Sequence, residues 1–445
     1  MRFHIENIGK IQEADIALNG LTVITGENDC GKSTIGKLLF STIKSLSNNL
    51  FLPVDDLQKS LLQKHVQSLY RRLSRKIRTE NKILDDLFPL PIGHLVSKLQ
   101  SIQDSSSFDK FLTERIAAVN QLPNITPRIR KLMLQDIKNI GICLKESDNR
   151  AAGIASEIQY FIESEFMNKI CSHATPYSQV ELFMDEQDEY TLSYTIKENV
   201  VGKVAFSDNS ECLQDATYVE SPLYIHILDA LLRSENYRET EERMLFRSMI
   251  PIHVKDFAEK LNAMKFLLKK SSSFKENFDR MREDLHAIVG GHFTFDKEMR
   301  SLCFWNGKNN FSPINIASGI KSFGVIQMLL ETNAINENKI LIWDEPENHL
   351  HPQWQIEFAN ILLELAKAGI PVVISTHSPY FIQGVRYFSV KHDMKKFVNY
   401  YLANTQENGL SVFDDVSEDL NRIFVKLAEP LNRIMNVDEP HLKNR

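Results

Sequence analysis

The eight residues GENDCGKS, Gly26 to Ser33, constrain this chain more than any other stretch. They follow LTVIT, a short apolar run suited to a buried strand, and they lead into STIGKLLFSTIKSL, which has helical periodicity. A glycine-rich turn between a buried strand and a helix leaves backbone N–H groups free to bind phosphate, which is the pattern of a P-loop. The stretch therefore predicts an α/β fold that binds a nucleoside triphosphate.

Each position of the loop suits a contact with a triphosphate. Backbone N–H groups cradle the phosphates, Lys32 reaches the β and γ oxygens, and Ser33 is placed to bind Mg²⁺. At Cys30 the phosphate contact comes from the backbone, so we interpret the thiol as a tolerated small side chain rather than a redox switch. The residues predicted to bind ATP are Gly26, Glu27, Asn28, Asp29, Cys30, Gly31, Lys32, Ser33 and Thr34.

A second stretch, KILIWDEPENHLHPQWQ, ends an apolar run with two acids. Ile340 to Trp343 predict a buried strand that delivers Asp344 and Glu345 to its carboxyl end, where ligands gather in α/β sheets. Asp344 suits the Mg²⁺ shell, and Glu345 suits a base that polarises the attacking water. The alternative interpretation is two solvated acids before a proline turn.

A third apolar run, PVVISTHSPYFI, repeats this geometry. Its strand is predicted to end at Ser375 and to present His377 to the same edge of the sheet, where the imidazole can sense a γ-phosphate. The alternative is a structural histidine, the commoner role of a lone one. The position after a further strand end favours function, so Glu345 and His377 are the predicted catalytic residues.

The stretch ASGIKSFG places a Ser–Gly pair at the start of a predicted helix. A helix N-terminus offers unpaired N–H groups and a favourable dipole, to which Ser318 adds a hydroxyl. From the residues alone, Ser318 is equally well interpreted as a simple N-cap.

The chain divides into five segments by pattern. Residues 1–45 and 291–445 contain the motifs above and predict the two parts of one split core. Helical periodicity dominates residues 46–177 and resumes over 225–290, which predicts an inserted helical arm and its returning half. Between them, residues 178–224 contain VELFMDE, YTLSYTI and GKVAFSD, which predict a β-layer.

Composition limits the classes of partner. A net charge of -6 argues against a chain that coats nucleic acid, but it leaves room for a local contact with DNA or RNA. RRLSRKIRTENK, from Arg71, is a candidate for that contact, with a solvated helix face as the alternative. The five cysteines lack CxxC spacing, and no run approaches the ~18 apolar residues of a membrane span. We expect a soluble, cytoplasmic protein without a membrane partner.

Taken together and in this order, GENDCGKSTIGKLLF, IASGIKSFG, DEPENHLHPQWQ and STHSPYFIQGV resemble ABC-type ATPases of the SMC, RecF and OLD group. They are most similar to the OLD-like AAA-family ATPases of bacterial anti-phage systems, including the Septu ATPase subunit. The resemblance implies a split ABC-type ATPase head with an antiparallel β-layer and an inserted α-helical arm, using ATP and Mg²⁺. It also implies a homodimer or higher homo-oligomer in which Ser318 and Gly319, followed by Lys321, contact the ATP of the opposing subunit.

The chain departs from the pattern of that group at three places. Lys321 stands where the signature motif usually has glutamine, and the segment WDEPENHLHP lacks the aspartate that ends many D-loops, so turnover is expected to be slow. No glutamine clearly marks the Q-loop. Its place is taken by TYVESPLYI, where Glu220 or Ser221 is expected near the metal.

The resemblance also bears on the effector. OLD nucleases carry a C-terminal TOPRIM domain, whereas only 68 residues (445 - 377) follow His377, and these predict a β-hairpin and an amphipathic helix. We therefore expect an ATPase that is not itself a nuclease and that regulates a separate nuclease, of the HNH type if the system is Septu-like. Two alternatives remain open: a DNA repair or chromosome-maintenance ATPase, and a scaffold that binds nucleotide with little hydrolysis.

Overall fold

A computed structural model describes most of the chain. The described residues are 1–50, 105–123, 125–145, 150–167, 169–171, 177–184, 190–207, 212–236, 250–266, 276–296 and 301–438, with scattered positions between 62 and 99. Of the cationic stretch that begins at Arg71, only Arg72 and Leu73 are described, so its predicted contact with nucleic acid lies outside the described residues.

Within the described residues, fourteen strands form two sheets. In chain order they are β1 Arg2–Ile8, β2 Ile11–Ala17, β3 Leu21–Thr25, β4 Tyr177–Phe183, β5 Leu192–Lys197, β6 Val200–Phe206, β7 Asp215–Val219, β8 His292–Asp296, β9 Ser301–Trp305, β10 Asn310–Phe311, β11 Lys339–Asp344, β12 Val372–Thr376, β13 Val398–Thr405 and β14 Ser411–Asp415. The large sheet has the order β6-β5-β4-β1-β2-β14-β13-β3-β12-β11-β7, and β10-β9-β8 form a separate sheet.

The helices of the described residues connect these strands. They are α1 Lys32–Leu50, α2 Ser105–Gln121, α3 Pro127–Lys145, α4 Arg150–Glu165, α5 Leu228–Asn236, α6 Ile252–Asn262, α7 Glu276–Val289, α8 Ser318–Glu331, α9 Pro352–Lys367, α10 Pro379–Lys391 and α11 Asn421–Asp438. Short 3-10 turns occur at Pro222–Ile227, Ala263–Phe266, Pro313–Asn315 and Lys395–Phe397.

The large sheet has a parallel part and a mainly antiparallel part. Strands β13, β3, β12, β11 and β7 run parallel to one another. On the other side, β6, β5, β4, β1 and β2 pair with one another in antiparallel fashion, and β2 pairs in parallel with β14. Parallel strands require crossover connections, which the helices provide. The fold is therefore a mixed α/β structure in which the two ends of the chain build one sheet.

Helices cover both faces of the parallel part. All five residues of β3 are buried, as expected for a strand covered on both sides. Val23 packs into the core formed with α8, α9 and α10, whereas Ile24 packs into the core formed with α1 and α4. A third apolar cluster lies in the helical segment, with contributions from Phe111 and Met133.

The structure confirms several elements that were predicted from patterns. The segments that begin VELF, YTLSYTI and GKVAF contribute to β4, β5 and β6. The C-terminal segment forms the predicted hairpin, β13 and β14, followed by α11. The last strand of the predicted β-layer, β7, differs from expectation because it pairs in parallel with β11 and borders the motif strands. The segment boundaries themselves stay predictions.

Candidate nucleotide-binding site

Strand register brings the sequence motifs to one edge of the sheet. Thr25 pairs with Thr376, Ser375 pairs with Asp344, and Trp343 pairs with Val219. The residues that follow these pairs begin four adjacent turns, which carry Gly26, His377, Glu345 and Glu220. The prediction that the P-loop, Glu345 and His377 share one edge is confirmed, whereas their chemical roles remain predictions.

The P-loop has free backbone donors where it enters α1. The first helical bond runs from Ile35 N to Gly31 O (3.1 Å), and the N–H groups of Ser33 and Thr34 have no partner within the described residues. Unpaired N–H groups at a helix N-terminus, together with the helix dipole, favour an anion at this point. The loop is thus suited to hold phosphate oxygens.

The Lys32 ammonium lacks a counter-charge. Lys32 is buried, and its Nζ donates to Gly26 O (3.0 Å) and Glu27 O (2.7 Å) and lies 3.9 Å from Cys30 Sγ. Within the part of the chain that the structure describes, no carboxylate lies within ion-pair distance of this ammonium. Since a buried cation is costly unless an anion compensates it, the site fits a negatively charged ligand.

The loop backbone explains its glycines. Gly26 and Gly31 adopt φ angles of 151° and 102°, and Asp29, whose carboxylate pairs with Lys10, adopts 62°. Such angles strain most L-residues, and a Cβ at Gly31 would also meet Ile11 Cγ1 at 2.8 Å. Of the predicted ATP-binding residues, Gly26, Cys30 and Lys32 are buried, Gly31 and Thr34 are half-buried, and Glu27, Asn28, Asp29 and Ser33 are exposed.

Asp344 is held by two hydroxyl groups. Ser375 Oγ donates to Asp344 Oδ1, and Tyr218 Oη donates to Oδ2 at 3.1 Å. The sequence motifs did not predict either residue as a partner of Asp344, although each lies on a strand that borders β11. Both donors are neutral, and within the described residues no cationic side chain pairs with this carboxylate. The uncompensated charge fits a divalent cation.

The donor set matches the way proteins bind Mg²⁺. Within the described ranges, no cluster of three or more His, Cys, Asp or Glu residues is arranged to enclose a metal. Mg²⁺ is usually bound through one or two carboxylates together with substrate phosphates and water, rather than in an all-protein cage. Asp344 and the exposed hydroxyl of Ser33 would hold it, and the bound ion would neutralise charge on the phosphates.

Glu345 and His377 contact each other. His377 Nδ1 lies 3.1 Å from Glu345 Oε1, and Asn348 Nδ2 donates to Glu345 Oε2 at 3.0 Å. Glu345 adopts a φ of 47°, and its N–H donates to Ser375 O at 3.0 Å. The two side chains are 28% and 44% exposed, so both are accessible to a ligand at this edge.

The residues expected to replace the Q-loop glutamine are already engaged. Glu220 accepts from Lys37 Nζ (3.0 Å) and Tyr224 Oη (2.5 Å), and its Oε2 lies 3.2 Å from His253 Nε2. The hydrogen bond with His253, followed by those with its other partners, holds the pKa of Glu220 far below its usual range. Ser221 Oγ accepts from Leu223 N (3.2 Å). Both side chains are therefore engaged by protein groups, and their expected place near the metal stays a prediction.

The Ser–Gly pair begins α8, but Ser318 does not cap it. The N-cap is Ala317, which has no side-chain cap, and Ser318 Oγ instead lies 3.5 Å from His349 O. The N-cap interpretation was therefore wrong by one residue. A Cβ at Gly319 would lie 2.6 Å from the ring of Trp354, so this glycine permits close packing of α8 on α9. Within the described residues, no hydrogen bond joins Ser318 to the P-loop of its own chain.

Lys321 lies deeper than its predicted role requires. The residue is only 2% exposed, and no hydrogen bond or ion pair of its ammonium group is formed within the described residues. Burial lowers the pKa of Lys321 below its ordinary value. A contact with an opposing subunit's nucleotide thus requires the side chain to leave this position.

A family model described as AAA ATPase domain matches residues 1–382. The chain belongs to this family. The match makes it an AAA-type ATPase domain, in agreement with the predicted ATPase class. Among curated proteins, none matches the sequence.

Three solved structures are similar to this AAA ATPase domain. The SMC head bound to the C-winged helix domain of ScpA is 11% identical, covers 95% of this chain and 98% of its own, and gives a TM-score of 0.40. The SMC head domain from Thermotoga maritima is 10% identical, covers 93% and 98%, and gives 0.38. The ADP conformation of an ATP-binding cassette of an ABC transporter is 12% identical, covers 98% and 99%, and gives 0.32. No described helix is long and apolar enough to cross a membrane.

Proposed function

We propose that this AAA ATPase domain binds ATP with Mg²⁺ at the shared strand edge and hydrolyses it there. The observation that carries the proposal is the pairing of free P-loop N–H groups and an uncompensated Lys32 ammonium with the Asp344 carboxylate at the same edge. The edge therefore presents groups that bind an anion next to a carboxylate that binds a cation. A nucleotide and its metal supply both of these ligands. Glu345 orients the attacking water, and His377 contacts the γ-phosphate.

The proposed active unit is a head-to-tail pair of chains. Ser318 and Gly319 begin α8 and rest against the turn that precedes α9, rather than against their own P-loop. A helix N-terminus favours an anion, so we assign this pair to the γ-phosphate of the ATP bound by the opposing subunit. Lys321, one turn further along α8, belongs to the same proposed contact.

Mixing two inactive variants tests the shared site. Lys32→Ala removes the phosphate cation and Ser318→Arg blocks the proposed contact, so neither variant alone should hydrolyse ATP. In mixed dimers one of the two composite sites keeps both groups intact, and partial recovery of ATPase activity is expected. Substantial activity of Ser318→Arg alone would exclude the shared site.

At the level of the cell, we propose that the ATPase controls a separate nuclease in anti-phage defence. The proposal rests on the resemblance of IASGIKSFG and DEPENHLHPQWQ to the Septu branch. The purified chain should not cut DNA, and co-expression with an adjacent HNH-type gene should give cleavage and phage protection. Metal-dependent cleavage by this chain alone, lost in its own active-site variants, would contradict the two-component arrangement. ATPase activity stimulated by DNA, with no nuclease partner, would favour a repair function instead.

A further inference from the structure

Glu347, two residues after the proposed catalytic Glu345, is a buried acid to which the sequence motifs assigned no role. It is 5% exposed, and its Oε1 accepts from Thr376 Oγ1 (2.7 Å) and from the His377 backbone N (2.9 Å). Its Oε2 is buried and forms no hydrogen bond with any residue that the structure describes. A buried carboxyl group that is only half satisfied costs stability, which makes Glu347 a candidate for a functional role.

The contacts of Glu347 join two turns that are far apart in the sequence. Glu347 belongs to the turn after β11, whereas its donors are Thr376, the last residue of β12, and His377, the first residue of the turn that follows. Thr376 Oγ1 in turn accepts from Ser378 N (3.1 Å), and Ser378 Oγ caps α10 by accepting from Phe381 N. The carboxyl group therefore fixes the backbone on both sides of His377.

This arrangement determines where the imidazole lies. His377 Nδ1 is 3.1 Å from Glu345 Oε1 and 3.6 Å from Glu347 Oε1. His377 is 44% exposed, so side chains enclose only part of its ring, and the backbone anchor adds to the restraint that the contact with Glu345 provides. A displacement of about 1 Å at a reacting group can lower a rate by about 100-fold.

We propose that Glu347 is a positioning residue, which holds His377 against Glu345 by accepting two hydrogen bonds, one from the last residue of β12 and one from the turn that follows it. The inference rests on the proposed ATPase function and adds a residue to it. Glu347 does not touch the nucleotide in this account. Its effect on hydrolysis is transmitted through His377.

The contacts of Glu347 also indicate which chemical feature of its side chain the positioning role requires. Both hydrogen bonds need an acceptor at Oε1, and burial raises the pKa of this carboxyl group, which favours its neutral form. A glutamine amide oxygen accepts the same two bonds without a negative charge. An aspartate keeps the carboxyl group but withdraws it by about 1.5 Å, the length of one C–C bond.

The test compares Glu347→Gln, Glu347→Asp and Glu347→Ala for ATP affinity and for kcat. We expect Glu347→Ala and Glu347→Asp to lower kcat by about 10- to 100-fold, the usual range for outer-shell partners, while the Kd for ATP stays within about twofold. Glu347→Gln should keep kcat within about threefold of the parent. A residue that only stabilises the fold would not separate kcat from Kd in this way.

Glu157 provides a matched control because it is also a buried acid, 2% exposed, with Asn49 Nδ2 3.0 Å from its Oε2 at the far end of α1. Glu157→Ala should lower the melting temperature and leave kcat unchanged. The inference is overturned if Glu347→Ala and Glu347→Asp keep parental kcat, or if Glu347→Gln is as impaired as Glu347→Ala. If Glu347→Ala does not fold, the Asp and Gln variants decide. Parental hydrolysis by Glu345→Gln would instead defeat the proposed function.

Discussion

Removal of the Tyr218 hydroxyl tests whether Asp344 acts at a metal. Tyr218 is 1% exposed and donates to Asp344 Oδ2 at 3.1 Å, while its ring packs edge-on against His253 with centroids 4.9 Å apart. Tyr218→Phe keeps the ring and its packing. It deletes only the donor that orients one oxygen of the carboxylate.

Two considerations give similar magnitudes for the loss of the Tyr218 hydroxyl. Loss of a hydrogen bond to a charged group costs about 1.5–3 kcal/mol, and loss of an outer-shell partner costs about 10- to 100-fold in metal affinity, or about 1.4–2.8 kcal/mol. Ser375 still donates to the other oxygen, and Asp344 is half-buried, so water can replace part of the lost bond. We therefore expect the lower end, about a tenfold weaker response to Mg²⁺.

The assay is the rate of ATP hydrolysis as a function of Mg²⁺ concentration. The half-saturating Mg²⁺ concentration should rise about tenfold in Tyr218→Phe, with ATP affinity in EDTA unchanged. Tyr194→Phe is the matched control, since Tyr194 is also fully buried and its hydroxyl bonds Thr42 Oγ1 (2.9 Å) away from the motif edge. An unchanged Mg²⁺ response in Tyr218→Phe, or an equal shift in Tyr194→Phe, would show that the Tyr218 hydroxyl does not orient Asp344 at a metal.

Two further predictions concern stability. Burial alone would lower the pKa of His253, but hydrogen bonds with Glu165 and Glu220 raise it above its ordinary value. The folded state therefore binds this proton more tightly, so the contribution is complete below about pH 6.5 and is lost as pH rises through the folded pKa. In urea unfolding, the stability advantage of the parent over His253→Gln should shrink from pH 6 to about pH 9, and a constant difference would disprove the linkage. Lys321→Met should raise the free energy of unfolding by about 1–3 kcal/mol because it replaces a buried ammonium group that is unpaired within the described residues. A lower melting temperature of this variant in calorimetry would contradict the prediction.

The parts of the site that were predictable from the sequence are those set by local patterns. Gly26–Ser33 is recognisable because the strand, turn and helix are contiguous, and Glu345 and His377 follow apolar runs whose length is typical of buried strands. Both kinds of signal lie within about fifteen residues of the motif. Local patterning therefore located the edge and its principal side chains.

The remaining features depend on pairings between distant segments. A short apolar run does not reveal its neighbours, so the parallel pairing of β7 with β11, and with it the bond from Tyr218 to Asp344, required the register. The contact between Glu347 and Thr376 is of the same kind. The N-cap at Ala317 rather than Ser318 shows a different limit, because a one-residue shift of a helix start leaves the periodicity unchanged.

Single-turnover hydrolysis of labelled ATP by the Glu345→Gln variant is the most direct test of whether the shared strand edge is the catalytic site. We predict that this variant binds ATP with parental affinity and retains it unhydrolysed, because the glutamine preserves the size of the side chain and loses the group that orients water. The parent should convert the bound ATP to ADP under the same conditions. Hydrolysis by Glu345→Gln at the parental rate would contradict the assignment of this edge as the catalytic site.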